Sequence, residues 1–197
     1  IGMCPIRALR VAYTGELGWE LHHPIEMQNY LLDILLSSGE EFNLKLVGAR
    51  AQNWLRQEKS YKAFGSDLGR DAGPFESNLS RFVDINKNFL GKDALLKRKT
   101  DVSCVTLLID GPKDIDPWGR EALYNETEDS MLGRLTSAGY SVHFKRSIGI
   151  GYVKSSFSEV GTKLRIKIDD AFWNAEIVRD SPYAVSYTHL RAHETRF

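Results

Sequence analysis

Apolar positions along the chain change period near its middle. Trp19 and Leu21 alternate with Glu20 and His22, the period-two signature of a half-buried strand. From Pro24 to Leu36 the period becomes helical: Met27, Tyr30, Leu31, Ile34 and Leu35 recur at spacings of three and four, with Gly39 as the stop. A second helix is predicted over 48–59, with Ala51, Trp54, Leu55 and Glu58 along one side, and a short third over 91–98. The charged run Lys97-Arg98-Lys99-Thr100-Asp101 then reads as a hinge. Beyond it the pattern is that of strands: 103–109 continuous and apolar, 133–140 rich in Gly, Ser and Thr, 148–153 short, 162–168 strictly alternating, and 172–178 last. Short strands with glycine-containing turns predict a small antiparallel barrel or sandwich after a mixed helix–strand region, an α+β chain. The acidic, polar stretch 121–132 is expected to be a surface hairpin loop.

Composition narrows the function. The 197 residues are enough for one or two small domains. With 26 basic and 26 acidic side chains the formal net charge is zero, which argues against nucleic acid or an anionic membrane as the main partner. No run approaches the length of a membrane span, and the longest apolar cluster, 30–36, is interrupted by Asp33. Cys4 and Cys104 stand a hundred residues apart with neither metal-ligand nor disulfide-framework spacing, so both read as small thiols in a reducing compartment. No metal site is expected, and no Ser-His-Asp set is recognisable. Gly149-x-Gly151 meets Lys154 where a dinucleotide fingerprint needs its third glycine.

The chemistry gathers in Tyr13-Thr14-Gly15-Glu16-Leu17-Gly18-Trp19-Glu20-Leu21. Gly15 and Gly18 allow a tight turn, and Glu16 lies in it with Tyr13 three residues upstream. A carboxylate on a rigid loop beside aromatics suits a flat heterocycle that offers two parallel N–H donors. A solvated glutamate on an ordinary hairpin accounts for the same residues.

The segment has companions in a fixed order. They are Leu55-Arg56-Gln57-Glu58-Lys59-Ser60-Tyr61-Lys62-Ala63-Phe64-Gly65, then Pro74-Phe75-Glu76-Ser77-Asn78-Leu79, then Phe89-Leu90-Gly91-Lys92. Asp116-Pro117-Trp118-Gly119, Gly133-Arg134-Leu135-Thr136-Ser137-Ala138-Gly139-Tyr140 and Ile148-Gly149-Ile150-Gly151-Tyr152-Val153 follow. This set, over about residues 5–183, resembles the aminomethyltransferase family, the T-protein of glycine cleavage. Its wording is similar to the folate-binding portion of dimethylglycine and sarcosine dehydrogenases. The resemblance implies residues 1–98 as the C-terminal part of a T-protein-like folate-binding domain and 101–183 as a compact six-stranded β-barrel domain. It implies tetrahydrofolate as cofactor, a small-molecule amine as substrate, and FAD only in an upstream domain outside this chain. A bacterial cytoplasm or a mitochondrial matrix would be the compartment.

By the same resemblance Glu16 accepts the pterin N–H bonds, and Tyr13 either packs by the pterin or is a core tyrosine. Arg56 either steers the glutamate tail of the folate or is fixed structurally by Glu58 or Glu76. Tyr61 and Phe64 either wall the folate channel or belong to the core. Ser60 and Asn78 stand where the family usually has glycine, which bears on local turn geometry. The aspartate that positions the reactive folate nitrogen in the family precedes residue 1, so no catalytic residue is assigned, and the chain reads as a fragment beginning partway through the first domain. Asp67 and Asp71 read as turn and cap residues. The stretch 184–197 fits neither the family nor the fold and reads as a non-native tail; its His189 and His193 are not taken as a metal pair.

Overall fold

A computed structural model describes residues 1–111 and 115–183. The tail at 184–197 lies outside the described residues. The described residues divide into two compact units, 1–53 and 54–183.

In the first unit a two-stranded antiparallel ribbon pairs β1 (Arg7–Leu9) with β2 (Glu20–His22), with Ala8 opposite Leu21. A single 3-10 turn, Ile25–Met27, leads into helix α1, Gln28–Gly39. The helix stops at Gly39 as its sequence predicts, and a Cβ there would meet Leu44 at 2.6 Å. Of the apolar side chains on α1 only Leu31 is fully buried. Helix α2, Ala49–Glu58, follows and crosses the boundary between the units at Asn53–Trp54. Of the expected stripe Ala51, Trp54, Leu55 and Glu58, Glu58 is buried and the other three are half-buried, and Arg56 and Gln57 are buried beside Glu58 at the C-terminal turn. Helix periodicity misses this because the turn is buried through charged and amide groups that find polar partners.

The second unit contains helix α3, Lys92–Lys97, and a closed antiparallel barrel. The barrel strands are β3 (Val102–Ile109), β4 (Ala122–Tyr124), β5 (Met131–Ser141), β6 (Arg146–Lys154), β7 (Lys163–Ile168) and β8 (Ala171–Val178). They close in the order β3-β6-β5-β4-β7-β8, with β8 returning to β3. Closure removes the exposed sheet edges that an open six-stranded sheet would present. The interior is filled by alternate residues: Val105, Leu107 and Ile109 from β3, Leu164, Ile166 and Ile168 from β7. The 121–132 stretch, expected to be a loop, contains β4 and the start of β5. Leu123 within it is fully buried, one inward residue between two partly buried neighbours. A three-residue strand with one inward side chain is too short to register as alternation.

Strand β5 departs from strict alternation, turning Leu132, Leu135 and Ala138 into the core. The register shifts between Leu135 and Ser137: Leu135 pairs with Gly151 and Ser137 with Ile150, leaving Thr136 as an extra residue. Such a bulge frees a side chain from the ladder and re-aims it.

Candidate functional site

Glu16 stands in the loop between β1 and β2. Gly15 adopts φ +76, a conformation that glycine reaches without steric cost, and its N–H donates to the Ala12 carbonyl at 3.3 Å. Glu16 is exposed, and its carboxylate makes no hydrogen bond or ion pair with any described residue. Tyr13 is half-buried in the same loop, and the Arg10 guanidinium lies 6.0 Å from the centre of the exposed Trp19 ring. The expected half-buried Trp19 is instead a surface aromatic, since the paired segment begins only at Glu20.

The other three predicted residues belong to the second unit. There Arg56 is 1 % exposed and Asp67 2 %, and the two form a buried ion pair. Arg56 also donates to the Tyr61 carbonyl at 2.8 Å and to Ser137 Oγ at 2.6 Å. Asp67 completes the set. It accepts from Ala63 N–H at 2.9 Å, from the Thr136 hydroxyl at 2.5 Å and from the Ser137 hydroxyl at 2.7 Å. Thr136 reaches it because the β5 bulge turns that side chain out of the ladder. A buried ion pair is sustainable only when its remaining donors and lone pairs are satisfied, and here they are.

The network pins both ends of the 61–67 loop. Tyr61 is held through its carbonyl, Ala63 through its N–H, and the Asp67 and Leu68 amides both return to the Ala63 carbonyl. Phe64 projects from the middle, 91 % exposed, while Tyr61 is 40 % exposed. Neither aromatic is a core residue. Arg56 is held by Asp67, eleven residues on, whereas the sequence offers Glu58 or Glu76 as its structural partners. Glu58 accepts the Ser141 hydroxyl, and Glu76 pairs with Arg98 at 3.2 Å. Asp67 does stabilise a turn, as its loop composition predicts, but its larger role is to join that loop to the barrel. The signal available in the sequence was the Thr-Ser pair at 136–137, adjacent hydroxyls in the middle of β5 between Leu135 and Ala138.

The C-terminal end of α2 is fastened by further polar contacts. Ser60 takes a left-handed conformation, φ +52, and its Oγ meets Thr106 Oγ1 at 2.7 Å. Asn78 is also left-handed, φ +57, with Nδ2 donating to the Cys104 carbonyl at 2.9 Å. Trp54 lies against Gly139, where a Cβ would come within 2.0 Å of the indole. Both cysteines are buried and free, and burial pushes the Cys104 thiol up to about 12. Among the described residues no group of His, Cys, Asp and Glu has a metal-binding arrangement, and no helix is long and apolar enough to cross a membrane.

Comparison with known proteins places this arrangement. The GCVT N-terminal domain model matches residues 1–87, and the glycine cleavage T-protein C-terminal barrel domain model matches residues 103–183. The mitochondrial dimethylglycine dehydrogenase of Mus musculus is 36% identical over 183 residues, covering 89% of this chain and 20% of that protein. An aminomethyltransferase of Caldanaerobacter subterraneus is 31% identical over 179 residues, covering 90% of this chain and 48% of that protein. The crystal structure of the glycine cleavage system aminomethyltransferase T from Bartonella henselae superposes with a TM-score of 0.78. It covers 90% of this chain and 49% of that one, and at 23% identity the likeness is one of fold. The chain thus spans about a fifth of the dimethylglycine dehydrogenases and about half of the aminomethyltransferases it matches. With the two domain models matched in order along nearly all of its described length, the chain belongs to the glycine cleavage T-protein (aminomethyltransferase) family.

Proposed function

We propose that this chain is the folate-binding portion of a tetrahydrofolate-dependent one-carbon transferase, within a dimethylglycine or sarcosine dehydrogenase-like flavoenzyme. The observation that carries the reading is Glu16, an unpaired, exposed carboxylate on a glycine-shaped turn in a chain of this family. A carboxylate presented in this way fits the adjacent N–H groups of a pterin edge, and the charge-assisted pair fixes the ring's orientation. Tyr13 in the same loop is an aromatic surface suited to packing against the ring. Arg56 serves by holding the Tyr61–Asp67 loop rather than by touching the ligand, since its guanidinium is fully buried. Domain limits of 1–98 and 101–183 accompany the reading.

When bound, tetrahydrofolate supplies the nitrogen that accepts a one-carbon unit from a small amine. The chain's own part is binding and orientation, a contribution of proximity. In this reading FAD would be held by another part of the flavoenzyme. A stand-alone T-protein is the second reading, favoured by the chain's larger share of the aminomethyltransferases. A folate-binding module without turnover would retain Glu16 equally well. Anaerobic calorimetry of tetrahydrofolate against this chain and its Glu16→Gln variant tests the shared element. Saturable binding that the variant weakens supports the site; equal binding by both assigns the pterin elsewhere.

A further inference from the structure

Two exposed segments of the chain carry opposite charge. Residues 26–45 hold four carboxylates against one lysine, and residues 81–99 hold six cations against two carboxylates, in a chain whose formal net charge is zero. In the first unit every residue from Glu40 to Arg50 is exposed, Phe42 and Leu46 among them at 76 % each. The segment nonetheless has a fixed shape. The Asn43 N–H donates to the Glu40 carbonyl and the Leu44 N–H to the Gly39 carbonyl, both at 3.0 Å, which holds Glu40, Glu41, Phe42 and Leu44 on one turn.

In the second unit no residue from Asn78 to Ser103 is buried, although the barrel of the same unit is well packed. Phe82 is 71 % exposed, Leu90 is fully exposed, and Leu96 is exposed on α3. Backbone bonds from Phe82 to Leu79, from Lys87 to Asp84 and from Lys92 to Phe89 set the stretch as successive turns leading into α3. Lys92 and Leu96 stand one helical turn apart there and share a face. The side chains of Glu40, Glu41, Lys87, Lys92 and Lys97 make no hydrogen bond or ion pair with any described residue. Single exposed apolar side chains are ordinary, but a run of them interleaved with unpaired charge of one sign marks a contact surface.

We propose that these segments are the two halves of one interface, through which a second copy of this chain binds. The acidic segment 40–47 of one copy receives the basic segment 82–97 of the other. Charge complementarity names the partner, since every copy presents both halves. Made twice about a two-fold axis, the contact closes a dimer. Phe42, Leu44 and Leu46 pack against Phe82, Leu90 and Leu96, and Glu40 and Glu41 meet Lys87 and Lys92. The apolar side chains supply affinity, and the charges decide which half meets which, because like halves repel. The proposal does not depend on the folate reading.

The test is sedimentation equilibrium of the intact chain over a concentration series. The weight-average mass should rise from the monomer's 22.3 kDa towards twice that. Dissociation on the order of micromolar is expected, weakened several-fold in ~1 M salt, where exposed charges are screened within about 3 Å. Two double variants, one with Glu40→Lys and Glu41→Lys and the other with Lys87→Glu and Lys92→Glu, should each self-associate roughly tenfold more weakly. Mixed in equal amounts they should associate as the wild type does, because both contacts of the mixed pair again join opposite charges. None of the four side chains has a partner to lose, so thermal melts of the variants at low concentration should coincide with wild type. A wild type that stays at the monomer mass throughout overturns the proposal. Self-association of either variant as strong as the wild type's also overturns it, since exposed apolar surface alone would then be responsible. So does a mixture that associates no better than its components.

Discussion

The barrel and the first unit spend their apolar residues in opposite ways. Inside the barrel, thirteen buried apolar side chains from β3 to β8 form one cluster, and every strand contributes. Among residues 1–53 the fully buried apolar side chains are Cys4 and Leu31, while Met3, Ile25, Phe42 and Leu46 are each more than two-thirds exposed. A closed barrel completes its own core, because each strand has two partners and one interior. A ribbon of two three-residue strands beside a helix does not. The candidate residues divide along the same line. Glu16 stands unpaired on a loop of the thinly packed unit, whereas Arg56 and Asp67 are locked into the well-packed one. The second pair holds a surface in place, and the first is the residue proposed above to meet a ligand.

The largest effect that would break this comparison is at Asp67. Asp67→Ala leaves Arg56 buried with its charge unmatched, and removing one partner of such a pair costs about 3–5 kcal/mol. Denaturant unfolding should show that loss, together with faster amide exchange across 61–68. A change below about 1 kcal/mol would mean that the pair is solvated and the loop independently stable. Next in size is the barrel core. Leu107→Ala, at a fully buried position, should cost about 2–5 kcal/mol, whereas Leu17→Ala in the exposed first-unit loop should stay within about 0.5 kcal/mol. Equal losses at the two positions would erase the contrast in packing.

Much of this division could be read from the sequence, and the part that could not has a physical cause. The strands of the barrel announced themselves because a half-buried strand repeats every two residues; 162–168 alternates strictly and forms β7. Helix α1 stopped at its glycine. Glu16 was legible because a carboxylate between two glycines is a local pattern. Asp67 was not, since its partners lie eleven residues away at Arg56 and about seventy away at Thr136 and Ser137. The contact depends on a bulge that adds one residue to β5, and a bulge leaves no mark on periodicity beyond a phase slip. Buried charge at the end of α2 was hidden for a related reason, because hydrophobic period cannot report a turn buried through salt bridges and hydroxyls.

Smaller effects sharpen the contrast between ligand-facing and structural carboxylates. Glu16→Gln should weaken tetrahydrofolate binding by roughly 1.5–3 kcal/mol, the range for hydrogen bonds to a charged group, without moving the thermal midpoint. Glu76 should behave in the reverse way. Burial pushes its carboxyl up, but bonds from backbone N–H groups and the Thr100 hydroxyl, with the Arg98 charge, outweigh this and hold it below the usual carboxylate range. A carboxylate with a lowered folded-state pKa contributes stability above its unfolded value and loses it as pH falls through the folded one. Glu76→Gln should therefore flatten the acid limb of a stability–pH curve while leaving folate binding alone. An unchanged acid limb would show that the bonds and charge around the Glu76 carboxylate contribute nothing to stability.

The least effect is expected at Asn78, where two opposing costs nearly cancel. Its left-handed backbone is one that glycine adopts freely, so Asn78→Gly relieves strain, of which asparagine already bears less than other residues. The same change removes the Nδ2 bonds to the Cys104 carbonyl at 2.9 Å and to Asp180 at 3.2 Å, which link the 74–79 turn to β3 and to the segment after β8. Because the Asp180 bond is exposed, the two together contribute about 1 kcal/mol net, close to the strain released, so Asn78→Gly should shift stability by less than about 0.5 kcal/mol. Asn78→Ala separates the two terms, because alanine keeps the strain and loses the bonds; it should be less stable than Asn78→Gly by about 1 kcal/mol. Equal stability of the two variants in chemical denaturation would mean that the turn relaxes out of the left-handed region once the side chain is gone.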